Sequence, residues 1–127
     1  MMKTSLWDET PPFAMQRFTP EEELMARLHQ ILLYKAFESG YAVPKLCRDI
    51  GMSSSHLHRK ITALTGIPAI AVITAMRLEK ARQLLVANRH QLIADIAFEC
   101  GFNDPDYFSR VFSKHFGVSP REFRSGI

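Results

Sequence analysis

Apolar residues recur along this chain at helical spacing, and short polar stretches break the pattern at regular intervals. Leu24, Leu28, Ile31 and Leu32 share one side of a helix that opens at Thr19 and ends at Gly40. Thr19 is its N-cap, Pro20 takes the first helical position, and Glu22 completes a capping box. A shorter helix is expected from about Pro44 to Ile50, then a turn at Gly51, then a helix from Ser53 to about Thr65. Ser53 caps that last helix, and Met52 before it can staple onto Leu57. A long helix follows over residues 68 to 88, about 31 Å end to end, with Ile70, Ile73, Ala81, Leu84 and Leu85 on its apolar face. Beyond His90 and Gln91 a short helix from Leu92 to Cys100, a glycine at 101, and a helix from Pro105 to Phe116 repeat the earlier order, with Asp104 as N-cap. A last short helix is expected from Pro120 to Arg124.

The second half is a copy of the first. Leu57 aligns with Phe108, Arg59 with Arg110 and Gly66 with Gly117, all at one offset, whereas Gly51 aligns with Gly101 one residue short of it. The second turn therefore carries an extra residue. Helix, tight glycine turn, helix is the outline of the helix-turn-helix, and here two such units flank one long helix. The expected fold is all-α with about seven helices. The expected organisation is an N-terminal arm over 1–18, a first unit over 19–66, a linker helix over 67–90 and a second unit over 91–127.

Helical geometry separates core from surface on the second helix of each unit. Leu57, Ile61 and Leu64 point one way, while Ser55, Arg59 and Thr62 point the other with His58 beside them. In the second copy Phe108 and Phe112 are core, and Asp106, Ser109, Arg110 and Ser113 face outward. An arginine at the same exposed place in two copies fits base-edge readout, because guanidinium can bond guanine O6 and N7 together. Ser54, Ser55, His58, Asp106 and Ser109 either read bases or cap helices and face water. Two reading helices that enter successive major grooves must sit ~34 Å apart, the order of length that the long helix supplies.

Charge sharpens this picture. Residues 1–38 carry 4 basic and 6 acidic groups, and residues 39–127 carry 12 and 7, so the repeated part is basic and suits an anionic partner. No apolar run approaches the ~20 residues of a membrane helix, and Lys3, Asp8 and Glu9 leave no secretion signal at the start, which sets a cytoplasmic expectation. Cys47 and Cys100 stand among apolar neighbours and are expected to be free thiols.

With these residues in place, 42 to 125 resembles the DNA-binding region of the AraC/XylS family of bacterial transcription regulators. "IADIAFECGFNDPDYFSRVFSKHFGVSPREFR" carries its second unit, "RLEKARQLL" its linker helix and "MSSSHLHRKITALTG" its first recognition helix. The wording also resembles output domains of hybrid two-component sensors. The resemblance implies a sequence-specific, double-stranded DNA-binding regulator with recognition helices near 53–65 and 105–116. Base contacts map to Ser55, His58, Arg59, Asp106, Ser109 and Arg110, with Ser54 beside them. Ser53, Lys60, Thr62, Asn103, Ser113 and Lys114 are the candidate phosphate contacts. Arg121 and Arg124 either join that set or belong to a solvated tail. Where the family has phenylalanine-lysine after the first arginine, this chain has Ile61 and Thr62, and its helix caps before each unit are replaced by Ala42 and Leu92.

Other readings are blander. His56 and His58 diverge on a helix and make a poor metal pair. Arg77, on the apolar side of the linker helix, is expected to pair with an acid such as Asp95, Glu99 or Asp104. No phosphate loop or catalytic constellation emerges, so neither an enzyme nor a cofactor nor a small-molecule site is expected, and RNA polymerase is the expected protein partner. A cysteine methyl acceptor in alkylation repair and a protein-binding helical adaptor are the rival classes. The chain is either a stand-alone regulator or the output part of a longer one.

Overall fold

The computed structural model describes residues 18–126, which form helices and the turns between them. The expected arm, apart from Phe18, lies outside the described residues. Seven helices follow in order among the described residues: α1 (Pro20–Lys35), α2 (Val43–Ile50), α3 (Ser54–Thr65), α4 (Ala69–Ala87), α5 (Ile93–Glu99), α6 (Pro105–Phe116) and α7 (Pro120–Ser125).

Local chemistry sets most of these boundaries. Thr19 Oγ1 accepts from the Glu22 amide at 3.0 Å while the Glu22 carboxylate accepts from the Thr19 amide at 2.8 Å, closing the box that starts α1. Ser119 and Glu122 build the same device at α7. Ser53 caps α3 and Asp104 caps α6 through their side chains, whereas Ala42 and Leu92 supply none to α2 and α5. α1 stops at Lys35, short of the expected Gly40. The chain instead turns through residues 36–41, with Gly40 in the left-handed region at φ 82°, and the carbonyls of that turn accept from Arg77 rather than from a further helical turn.

The second helices of the two units match in length and in how they end. α3 and α6 each have 12 residues and end on a left-handed glycine, Gly66 (φ 80°, ψ 0°) and Gly117 (φ 84°, ψ −3°). In the turns that precede them, the Met52 amide donates to the Cys47 carbonyl and the Phe102 amide to the Ala97 carbonyl, both at 3.0 Å. These equivalent bonds lie before the N-caps Ser53 and Asp104, so the extra residue of the second turn is Asn103.

Two cores form, and α4 belongs to both. Leu28, Leu32, Leu46, Ile50, Leu57 and Ile61 gather around Ala69 and Ile73 of α4. Ile96, Ala97, Cys100, Phe102, Phe108 and Phe112 gather around Leu78, Ala81 and Leu85. At 100° per residue the buried face of α4 turns by roughly 130° between these two sets. The sequence reading put a single apolar face on this helix; instead Ile70 is 51 % exposed and Ala69 and Leu78 are buried. The second core is aromatic, with ring centroids 5.0 Å apart for Phe102–Phe108, 5.6 Å for Phe108–Phe112 and 5.9 Å for Phe112–Phe123. Such pairs add about 0.5–1.5 kcal/mol each beyond area burial.

Both cysteines are free, Cys47 half-buried and Cys100 fully buried, and burial pushes the Cys100 thiol up to about 12. An aromatic disulfide reagent at pH 8 is therefore expected to label Cys47 in the folded protein and to reach Cys100 at the rate of unfolding; mass spectrometry of the labelled peptides checks the order.

Tyr41 is buried and its hydroxyl donates to Asp49 Oδ2 at 2.8 Å, with Lys35 Nζ 3.2 Å from the same oxygen. The Tyr41 hydrogen bond, then Lys35, hold the Asp49 carboxyl below its ordinary value, while burial and then Asp49 raise the Tyr41 phenol. A depressed carboxyl stabilises the fold above the unfolded pKa of about 3.9 and loses that contribution as pH falls through the lower folded value. Tyr41→Phe is expected to lower the melting temperature at pH 7 and to flatten its fall between pH 5 and pH 2, as read by thermal melts across that range.

Candidate nucleic-acid interface

The exposed faces of α3 and α6 arise from the same spacing that builds the cores. Leu57 and Ile61 point into the first core and Phe108 and Phe112 into the second. Ser55, Arg59 and Thr62 are exposed on the far side of α3, with His58 and Ser54 beside them. Asp106 and Arg110 are exposed on α6, and Ser109 and Ser113 are half-buried along the same face. All seven candidate base-reading residues are therefore exposed or half-buried, on two helices of identical length that both end on a left-handed glycine.

The N-terminal ends of the two helices open onto one stretch of α4. A cleft of about 340 Å³ is lined by Ser54, Ser55 and His58 of α3 together with Pro68, Ala69 and Ile70. A second, of about 310 Å³, joins Ile70, Thr74 and Arg77 to Asn103, Asp104 and Tyr107. Ile70 lines both clefts and is itself exposed between the two helix starts.

Charge on these faces is available to a partner. No carboxylate among the described residues pairs with Arg59 or Arg110; the ion pairs are Lys35–Asp49 and Arg82–Glu79. The Arg110 guanidinium lies 5.7 Å from the Tyr107 ring centroid, a cation–π contact that narrows its rotamers. The sequence reading passed over Tyr107; its signal was the i, i+3 spacing to Arg110. The N-termini of α3 and α6 add positive potential at the two clefts.

The candidate phosphate contacts divide by their present partners. Ser53 Oγ accepts from the His56 amide at 3.2 Å and keeps its own proton to donate. Lys60 is half-buried, whereas Thr62, Lys114 and Arg121 are exposed. Ser113 Oγ donates to the Ser109 carbonyl at 2.8 Å. Asn103 accepts from Ser39 Oγ. Arg124 is half-buried and tied into the fold: its Nη2 donates to the Asn88 carbonyl at 3.2 Å, and its own carbonyl accepts from Arg89 at 3.4 Å.

One expectation is corrected. Arg77 pairs with none of Asp95, Glu99 or Asp104; its Nε donates to the Ala36 carbonyl at 2.5 Å and its Nη2 to the Tyr41 carbonyl at 2.9 Å. Burial lowers its pKa, and the carbonyl dipoles around it supply the compensation that an acid was expected to give. His56 and His58 are both exposed, and no group of three or more His, Cys, Asp or Glu among the described residues is arranged to hold a metal ion. No single helix among the described residues is long and apolar enough to cross a membrane.

Comparison with known proteins agrees with this geometry. A family model described as a helix-turn-helix domain matches residues 46–126. The HTH-type transcriptional activator RhaS of Klebsiella pneumoniae (strain 342) is 37 % identical over 105 residues, which cover 80 % of this chain and 37 % of that protein. The chain thus spans little more than a third of the activator it matches. The C-terminal domain of AraT, a response regulator from Geobacillus stearothermophilus, superposes with a TM-score of 0.75 at 28 % identity, covering 88 % of this chain and 89 % of that one. A Chromobacterium violaceum transcriptional regulator of the AraC-type DNA-binding-domain proteins does so with a TM-score of 0.73 at 25 % identity, over 81 % and 90 % of the two chains. Two capped helix-turn-helix units on one shared helix, matched along most of the chain by sequence and by structure, place this protein in the AraC-type helix-turn-helix family.

Proposed function

We propose that this chain is the DNA-reading part of a transcription regulator, and that it binds double-stranded DNA sequence-specifically with α3 and α6 in two successive major grooves. The observation that carries this is the pair Arg59 and Arg110: equivalent positions of the repeat, both exposed, both without a carboxylate partner among the described residues. A guanidinium in a major groove can take guanine O6 and N7 together, and Asp106 can accept from cytosine N4. Ser54, Ser55, His58 and Ser109 complete the base-reading set. Ser53, Lys60, Thr62, Asn103, Ser113, Lys114 and Arg121 fix register on phosphate, while Arg124 serves chiefly to hold α7 on the end of α4. Two separate cores support the division into reading units at 19–66 and 91–127 with the linker helix between them.

The proposed protein is non-enzymatic and acts where the genome lies, in the cytoplasm. The name of its RhaS relative supports activation, for which RNA polymerase is the proposed protein partner, and the response-regulator origin of its AraT neighbour supports attachment to a longer signalling chain, of which the hybrid two-component regulator is the proposed form.

Selection of bound duplexes from a random library is the direct test, followed by affinity measurements on the selected site. Arg110→Ala is expected to cost about 1–3 kcal/mol on that site and to relax preference at one base pair. Unchanged affinity would remove Arg110 from the reading set. Binding should weaken as salt rises, and Lys114→Ala should reduce the slope of log K against log salt by about 0.9 while leaving sequence preference alone.

A further inference from the structure

Arg77 lies where the turn of the first unit approaches the turn of the second. On the α4 wheel this residue lies about midway between the direction that faces the first core and the direction that faces the second. Its guanidinium donates to the carbonyls of Ala36 (2.5 Å), Tyr41 (2.9 Å) and Glu38 (3.3 Å), all in the turn between α1 and α2. Against its other side stands the turn of the second unit. A Cβ on Gly101 would sit 2.8 Å from Arg77 Nε and 3.0 Å from the Phe37 carbonyl oxygen, so only a residue without one fits there. The same two turns touch once more where Ser39 donates to Asn103, and Lys80 of α4 adds to the hold on the first turn with its Nζ 4.3 Å over the Phe37 ring.

We infer that Arg77 is a positioning residue for DNA reading: it latches the first unit's turn against the second unit's Gly101 and so sets the half-site spacing that the protein accepts. This rests on the reading proposed above, that α3 and α6 enter successive grooves.

The physical case is one of stiffness. A continuous helix fixes how far apart the two units lie along its axis, but each unit is held to α4 by a different face, and small bends at the changeover between Ile73 and Leu78 swing one head relative to the other. Three carbonyls of one unit bound to a planar fork leave little freedom for that swing; a lysine ammonium lacks the fork geometry that several carbonyls can share. The repeat supports this. Asn103 is the residue by which the second turn exceeds the first, and Gly101 is the glycine of that turn, so the departure from internal symmetry falls at the seam with the latch. Two heads held in register bind as one ligand with a high effective concentration, and that gain vanishes when geometry forbids both from engaging.

The test compares Arg77→Ala with wild type on four duplexes: the selected site, the site with two or with about five base pairs inserted between half-sites, and a single half-site. Wild type is expected to prefer the native spacing over the half-turn insertion by ~100-fold, and Arg77→Ala to reduce that ratio to ~10-fold or less with single half-site affinity kept within about twofold. Gly101→Ala, which drives a Cβ into the guanidinium, should move the ratio in the same direction. Far-UV circular dichroism and thermal melts accompany each variant. Should Arg77→Ala fail to fold, Arg77→Lys and Gly101→Ala carry the comparison under the same criteria. A variant that keeps the wild-type ratio overturns the latch, as does one that loses affinity equally on all four duplexes, the mark of a merely structural arginine. Wild type with no preference for spacing overturns the two-groove reading and the latch together, whereas a wild-type preference that survives in the folded variants overturns the latch alone.

Discussion

A single helix that must be buried on one side at its start and on another at its end governs this molecule. α4 gives Ala69 and Ile73 to one core and Leu78, Ala81 and Leu85 to the other, with its buried face turning by roughly 130° in between. Neither unit has a closed core without its half of α4. The helix is therefore a shared wall as well as a spacer, and the orientation of each unit about it is fixed by which side chains that unit buries. Presentation of α3 and α6 follows from packing, and the seam at Arg77 is the one stretch where packing hands over from one core to the other.

Burial and readout separate cleanly on the reading helices because helical spacing forces them to. Leu57 and Ile61, or Phe108 and Phe112, consume the inward face, while Ser55 and Arg59, or Asp106 and Arg110, two places away from them, stand exposed. The first core closes with aliphatic side chains and the second with rings, yet both deliver a 12-residue helix from a side-chain cap to a left-handed glycine. The repeat thus keeps geometry and varies chemistry. Ser55, His58 and Arg59 on one helix against Asp106, Ser109 and Arg110 on the other give the two exposed faces different donor and acceptor sets, so the proposed reading heads would prefer unequal half-sites.

Much of this was legible in the residues themselves. The Thr19–Glu22 capping box, the caps Ser53 and Asp104, proline at the first helical position and terminal glycines located α1, α3, α6 and α7 at one or both ends, because those signals act within a turn of the helix end they mark. The outward residues of both reading helices followed from periodicity. Three features did not. α1 ends five residues before Gly40, and the Ala36 carbonyl, which a longer helix would have bonded within itself, accepts instead from Arg77, 41 residues along the chain. α4 presented no single apolar stripe, because a face that rotates along the helix blurs periodicity. Arg77 was expected to find a carboxylate, yet a helix end supplies carbonyl dipoles that answer the same charge, and nothing in local sequence distinguishes the two.

The central claim is that two reading heads held on one helix address one side of a duplex. Hydroxyl-radical footprinting of the chain on a selected site measures this most directly. The account predicts two protected patches about 10 base pairs apart on the same face of the DNA. A single patch, or two patches on opposite faces, would contradict it.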